Sequence, residues 1–468
     1  MTPIDAVNAP FIDIHRSADP AATSFVYEHG WQSWSPAGLY PANLESSPRP
    51  RRHIWQAMAF RPEKPAPAGG FQGEGLLAVV NADRSADVFL APTPDVDIPS
   101  IRARVESGWV VVSADGPVVH FSTPSLDEGL RQAASLLADR LVSTVPASLD
   151  AGWCTWYAYW NEVKAQDVID NLEVIVREHL PIEVVQVDDG YQADIGDWLD
   201  VRTEFGDLDG VIGRILDAGR VPGIWTAPFL VGARSQLASR HPDWLVGGAV
   251  ACEHHWSQEV RVLDVTHPAA ADHLRSVFAT LRERGIRFHK IDFIYGGAMS
   301  GKRHEDVSGI EAYRRGLQII REGAGSDAAI LGCGAPLLPS IGLVDAMRIS
   351  PDVMPNWEPD LGDISQPGMR SALAAGRARA WMHGRLWVND PDCVLVRPEV
   401  ERPEDWRDYL EVLGGLAVSS DALPRLDAEH LDRVRGLMRP ADGGPVAWDP
   451  WAGLDQGLIH REPPLLEE

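Results

Sequence analysis

Cysteine is scarce in this chain. Only four occur in 468 residues, at Cys154, Cys252, Cys333 and Cys393, and no two are spaced as paired ligands. That excludes a zinc ribbon or a disulfide scaffold and leaves free thiols in a reducing compartment. Basic residues are the minority: Lys+Arg 42 against Asp+Glu 67 leave a formal net charge of −25. Such a balance repels nucleic acid and anionic membranes and makes polyphosphate substrates a poor match. The opening stretch, MTPIDAVNAPFIDIHRSADP, lacks the basic start and apolar core of a signal peptide, and no later run reaches the length of a bilayer span. A cytoplasmic protein without a membrane partner is expected. Also missing is a glycine-rich dinucleotide fingerprint after the first apolar run of the repeating region, which disfavours an open doubly wound sheet.

What the chain does have is tryptophan, 17 residues of it. Most pack in the core, but an indole face also stacks on the C–H face of a sugar while its N–H donates to a hydroxyl. From Asp150 to about Leu423 a short apolar run, a polar turn and an amphipathic stretch recur. The runs are AGWCTWYAY (151–159), EVVQVDDG (183–190), VPGIWTAPF (221–229), RFHKIDFIY (287–295), AAILGCGAP (328–336), DAMRISPDV (345–353), GRLWVNDPD (384–392) and GGLAVSSDA (414–422). Eight strands alternating with helices over that length predict an α/β fold, a (β/α)8 TIM barrel covering 148–440. Residues 1–147 carry short alternating stretches broken by Pro and Gly and predict an antiparallel β-sandwich. A short tail, 441–468, is too small for a core of its own.

In such a barrel the chemistry sits where the strands end. The second run closes with Asp188 and Asp189, the third carries Trp225, the fourth Lys290 and Asp292, the fifth Cys333, the sixth Arg348 and Asp352, and the first Trp156 and Tyr157. Lys290 and Asp292 stand two apart and would share a strand face, where the ammonium would lower the pKa of a nucleophilic carboxylate. A buried ion pair kept for register is the bland alternative. Arg348, Ser350 and Asp352 would share a face if the sixth strand stays regular. A general acid needs a raised pKa, so Arg348 should turn toward substrate and away from Asp352. Asp188 and Asp189 can aim at one ligand only if the chain turns at Gly190. Two carboxylates from different strands in a Trp-lined mouth are the minimum kit for glycoside hydrolysis.

Taken together, GWCTWYAYW, EVVQVDDGYQADIGDWL, GIWTAPFLV, FHKIDFIYGGAMSG, ILGCGAPLLPSIG, MRISPDV and RLWVNDPDCVLVR resemble, in order, the α-galactosidases of glycoside hydrolase family 36, and HGWQSWSPAG (29–38) resembles the sandwich segment that reaches over their barrel mouth. The resemblance implies an exo-acting retaining α-galactosidase that cleaves terminal α-galactosyl residues of small oligosaccharides through a covalent β-galactosyl ester. It implies Asp292 as nucleophile and Asp352 as acid/base. Asp188 and Asp189 would hold O4 and O6, Lys290 a ring hydroxyl, and Cys333 and Arg348 would surround O2. Trp225, Tyr157 and Trp156 would line the pocket, with Trp34 leaning in from the sandwich. No metal or cofactor is implied. The chain ends before the further β domain common in the family, so its oligomer contacts do not carry over, although a homo-oligomer stays open.

Three other readings are weighed beside it. On the same site stand an α-N-acetylgalactosaminidase, which needs space near Cys333 for an acetamido group, and a galactosyl transferase. A metal-dependent barrel enzyme could use the four aspartates as oxygen ligands, but Lys290 would compete with the cation. A non-catalytic sugar-binding protein would need the tryptophans but not both Asp292 and Asp352.

Overall fold

The computed structural model describes residues 10–44, 46–48, 61, 63–253, 255–444, 446 and 449–451. Residues 1–9 of the expected sandwich, 452–468 of the expected tail and His254 of the stretch EHHW (253–256), expected in a loop that could cover the barrel mouth, lie outside them.

Among the described residues nine antiparallel strands come first: β1 (Ile12–Pro20), β2 (Phe25–Glu28), β3 (Gly38–Pro41), β4 (Phe71–Glu74), β5 (Leu76–Val80), β6 (Ala86–Leu90), β7 (Ser100–Glu106), β8 (Trp109–Ala114) and β9 (Val119–Thr123). They form one sheet in the order β1-β8-β7-β4 and a second in the order β3-β2-β5-β6-β9. The run LLAVV of β5 is apolar throughout because the strand is covered on both faces. Leu77 and Val79 point between the two sheets with Val26, Phe71, Phe89 and Val112, while Leu76, Ala78 and Val80 join the core shared with the barrel. Period-two alternation thus divides one strand between two cores. Helix α1 (Leu126–Leu141) follows, its first turn capped by the Ser125 hydroxyl, which accepts from the Glu128 N–H at 3.2 Å. Leu126, Leu130, Ala133, Ala134, Leu137 and Leu141 form its buried stripe, at the spacing that one helix face requires.

The barrel strands are β10 (Gly152–Cys154), β11 (Val184–Val187), β12 (Val221–Thr226), β13 (Phe288–Ile291), β14 (Ala329–Gly332), β15 (Ala346–Arg348), β16 (Val388–Asp390) and β17 (Val418–Ser419). Each falls inside one of the eight expected runs. Neighbours pair in parallel in the order β16-β15-β14-β13-β12-β11-β10-β17, and the ends meet where the Leu416 N–H donates to the Asn389 carbonyl at 2.8 Å and the Val394 N–H to the Val418 carbonyl at 2.7 Å. Around them stand α2 (Ala165–Arg177), α3 (Leu208–Asp217), α4 (Pro268–Glu283), α5 (Gly309–Ala324), α6 (Met369–Arg379), α7 (Pro403–Leu413) and α8 (Ala428–Leu437). A three-stranded antiparallel sheet, Leu230–Gly232, Leu245–Cys252 and Val260–Leu263, is inserted between β12 and α4. A two-residue pairing of Ser148–Leu149 with Ala441–Asp442 ties the barrel's entry to its exit.

The strands are shorter than the runs, and this changes the geometry expected of the sixth. β15 stops at Arg348, so Arg348, Ser350 and Asp352 do not share a strand face, and Asp352 stands in the loop after Pro351. β13 ends at Ile291, yet the Asp292 N–H still donates to the Thr226 carbonyl at 2.8 Å before the chain turns at Phe293, whose φ is 50°. The physical reason is general: a barrel strand need only span the wall, and its polar continuation leaves the ladder to line the mouth.

The sandwich is pinned to α6 and its continuation. The Tyr27 hydroxyl donates to the Ala378 carbonyl at 2.9 Å and accepts from the Trp381 indole at 3.0 Å.

Candidate active site

At the end of β11 two adjacent carboxylates are aimed differently by the turn at Gly190, which has φ 117° and sits against the Asn161 backbone, where an added Cβ would approach within 2.9 Å. Only glycine fits both demands. Asp188 is buried; its Oδ2 accepts from Gln186 at 2.7 Å and from the Lys290 ammonium at 2.9 Å. Asp189 accepts from the Gln192 amide at 2.5 Å and from the Trp256 indole at 2.8 Å. Burial raises the Asp189 pKa, partly offset by these two donors.

Lys290 therefore corrects the expectation set by its sequence neighbour. Its ion partner is Asp188, across two barrel strands, and Asp292 acts on it only through space. Burial opposes the ammonium's charge, but Asp188 and then Asp292 outweigh it and keep the group cationic, well above its ordinary value. Asp292 itself is buried and accepts from the Trp225 indole at 3.1 Å and from the Phe293 N–H at 2.7 Å.

Asp352 lies opposite in chemical character. About a third of its side chain, 32%, stays open, while protein encloses the rest. Removal from bulk water, joined by the charges of Asp392 and Asp292, pushes its carboxyl up to about 7 against the pull of Arg348. The expectation that Arg348 turns away from Asp352 is not met. Its Nη1 donates to Asp352 at 2.9 Å, its Nε to Asp390 at 3.0 Å, and its Nη2 stands 2.7 Å from Asp392. One guanidinium thus serves three carboxylates, and two of those are buried in β16 and its extension. Burial first, and then this imbalance, leave Asp352 protonatable near neutrality.

Asp390 and Asp392 were missed by sequence reasoning, although the run GRLWVNDPD ends on them and strand ends were the places to inspect. Asp392 also accepts from the Tyr157 hydroxyl at 2.6 Å and the Val353 N–H at 2.7 Å, and so fixes the backbone beside Asp352. Tyr157 is buried and acts as a donor to this carboxylate; burial and the nearby Asp352 and Asp392 charges hold its phenol well above the usual value. Trp256 closes the EHHW stretch, whose contacts the sequence does not give; it stands in the connection between the second and third strands of the inserted sheet, and its ring also lies 5.0 Å from Phe293 and 6.4 Å from Trp225.

Cys333 is buried, and its thiol feels Asp292, Arg348, Lys290 and Asp352 together. Trp156 stands at the rim, its ring 5.0 Å from that of Trp160. Trp34 reaches from the sandwich to rest edge-on against Phe293 at 4.9 Å, beside Gly334. The structure thus gathers the eleven residues singled out from the sequence around one barrel mouth. Among the four cysteines, all free, the sulfurs of Cys154 and Cys393 come within 3.6 Å. Among the described residues no three His, Cys, Asp or Glu side chains gather as metal ligands, and no helix is long and apolar enough to cross a membrane.

The sequence profile of the family described as Melibiase matches residues 133–312, from α1 to the start of α5. Over that stretch, less than half of its length, the chain is similar to the melibiases. Over 100 residues it is 33% identical to α-galactosidase AgaA of Geobacillus stearothermophilus, a stretch covering 20% of this chain and 13% of that relative. The chain therefore spans only a small part of the curated relative it matches. A solved α-galactosidase of Thermus thermophilus, TtGalA, bound to p-nitrophenyl α-D-galactopyranoside, superposes with a TM-score of 0.78 and 26% identity over 90% of this chain and 87% of its own. The crystal structure of AgaA, at 13% identity and a TM-score of 0.59, shares the fold over 91% of this chain and 61% of its own. The sandwich-plus-barrel architecture is common to this chain and those neighbours.

Proposed function

We propose that this protein is an exo-acting retaining α-galactosidase that removes terminal α-D-galactosyl residues from small oligosaccharides. The observation that carries the reading is the contrast between two carboxylates at one barrel mouth, near enough for the Asp292 charge to act on Asp352. Asp292 accepts hydrogen bonds only from N–H donors, whereas Asp352 titrates at about 7. Two acids driven to different tasks by their surroundings are what double displacement needs.

In the first step an Asp292 oxygen attacks the anomeric carbon, forming a β-galactosyl ester as the bond to the leaving oxygen breaks. Asp352 gives its proton to that oxygen. In the second, Asp352 takes a proton from water, whose oxygen attacks the same carbon and releases Asp292 and α-galactose. Asp188 and Asp189, anchored by Lys290, Gln192 and Trp256, offer acceptors side by side for the O4 and O6 hydroxyls. Trp225 supplies an apolar face for the ring, with Trp34, Trp156, Tyr157, Arg348 and Cys333 completing the surround. TtGalA has been solved with stachyose and a variant of AgaA with raffinose, which supports galactosyl oligosaccharides as the substrate class.

The test is turnover of a panel of aryl α-glycosides with the first-formed sugar followed by proton NMR. Release of α-galactose from the galactoside is expected. First-formed β-galactose would remove the retaining course, preference for the N-acetylgalactosaminide would move the substrate, and no turnover of any member would remove the enzyme.

A further inference from the structure

Arg379, at the C-terminal end of α6, is fully buried, and among the described residues no carboxylate pairs with it. Burial alone pushes its pKa down to about 10. A guanidinium kept in so dry a place must be matched to its surroundings by hydrogen bonds. Its two terminal nitrogens carry four hydrogens, and four backbone carbonyls receive them. Nη1 donates to Ser33 at 2.7 Å and to Ile349 at 2.9 Å; Nη2 donates to Ser35 at 2.7 Å and to Gln32 at 3.2 Å.

These carbonyls belong to two places. Three of them surround Trp34 in the sandwich turn. The fourth is the residue after β15, three positions before Asp352. The same turn is stitched to the loop beyond Cys333, where the Ser33 N–H donates to the Ala335 carbonyl at 3.0 Å and the Ala335 N–H to the Ser33 hydroxyl at 3.1 Å. The planar guanidinium, with four of its five hydrogens on the two terminal nitrogens and the fifth, on Nε, buried without a partner among the described residues, is the one side chain that can hold these four carbonyls at once; an ammonium has three hydrogens and no plane.

We infer that Arg379 is a positioning residue that sets the aromatic wall of the pocket and the loop of the acid together, so that the N-terminal sandwich acts as part of the catalytic site. It touches no substrate. Its effect travels through Trp34 and through the Ile349 carbonyl to Asp352, and this inference rests on the α-galactosidase reading.

The experiment compares wild type, Arg379→Gln and Arg379→Lys on two substrates: methyl α-galactoside, whose alkoxide departs poorly without a proton, and 2,4-dinitrophenyl α-galactoside, whose leaving group needs little help. Misplacement of about 1 Å costs up to ~100-fold in rate. Expected for Arg379→Gln is a loss of about that order in kcat on the methyl glycoside, a clearly smaller loss on the dinitrophenyl one, and a higher KM on both. Combining it with Trp34→Ala should add little further rise in KM, since both changes remove the same wall. Arg379→Lys should show the same split, reduced. If Arg379→Gln does not fold, Arg379→Lys carries the test alone. Equal losses on both substrates, an additive double variant, or folded variants with wild-type kinetics and only a lowered melting temperature would overturn the inference. Failure of the α-galactosidase reading would look different, because the wild type would then turn over neither substrate.

Discussion

Replacing Asp392 by Asn tests how the acid is tuned. In the native site Arg348 faces Asp352, Asp390 and Asp392, one positive charge among three negative. Asp352 and Asp392 lie on neighbouring nitrogens of one guanidinium, which places their carboxylates roughly 6 Å apart; at an effective dielectric of about 20 their repulsion is about 2.8 kcal/mol, or about 2 pKa units. Removing the Asp392 charge lifts that repulsion and frees more of Arg348 for Asp352. Both effects favour the anion, so the carboxyl that titrates at about 7 should fall by about 1–2 units once partial solvent screening at the open mouth is allowed for. Loss of the proton from the acid is loss of activity, so the basic limb of kcat/KM moves to lower pH and turnover at neutral pH drops. The assay is kcat/KM against pH on an alkyl α-galactoside, with a melting curve to confirm folding. A limb that stays at about 7, or moves upward, would refute the electrostatic account.

Two further outcomes follow from the same geometry. Asp352→Asn should abolish turnover of alkyl galactosides while raising thermal stability at alkaline pH only. The native carboxyl has a pKa raised on folding, so its ionised form is a burden that grows as pH climbs from the unfolded value of about 4 through about 7; equal stabilisation at pH 4 and pH 9 in melting curves would contradict this. Lys290→Met leaves Asp188 buried without its cation, a change that costs about 3–5 kcal/mol in comparable buried pairs, measurable by urea unfolding; a loss below about 1 kcal/mol would show that Asp188 finds another partner.

The eight barrel strands were legible because buried parallel strands read as short apolar runs between turns, and the barrel wall demands little else of them. Their polar ends were legible as a site for the same reason: nothing in a wall explains Asp188, Lys290 or Asp292. Partners were harder to read. Lys290 and Asp292 are neighbours on one face, but a long ammonium reaches across β12 to Asp188, 102 residues away in the chain. Arg348 was expected to avoid Asp352 because a general acid needs a raised pKa; its other partners, Asp390 and Asp392, come from the next strand, and no local pattern announces a pairing made by sheet order. Asp352 keeps its raised pKa despite Arg348 because burial and the charges of Asp392 and Asp292 outweigh the cation those partners share. Trp256 was legible as part of a loop that could cover the mouth, but its contacts were not, for a third reason. It arrives from an inserted sheet whose fold over the mouth depends on tertiary packing, and its own backbone φ of 52° is one that tryptophan rarely adopts.

The most direct measurement concerns the carboxylate at the end of β13. Asp292→Ala should lose nearly all hydrolysis of an aryl α-galactoside, and added azide, entering where the carboxylate stood, should restore part of the turnover and yield β-galactosyl azide. An azide product of α configuration, or undiminished hydrolysis by the variant, would contradict the assignment of Asp292 as the group that bonds to the sugar.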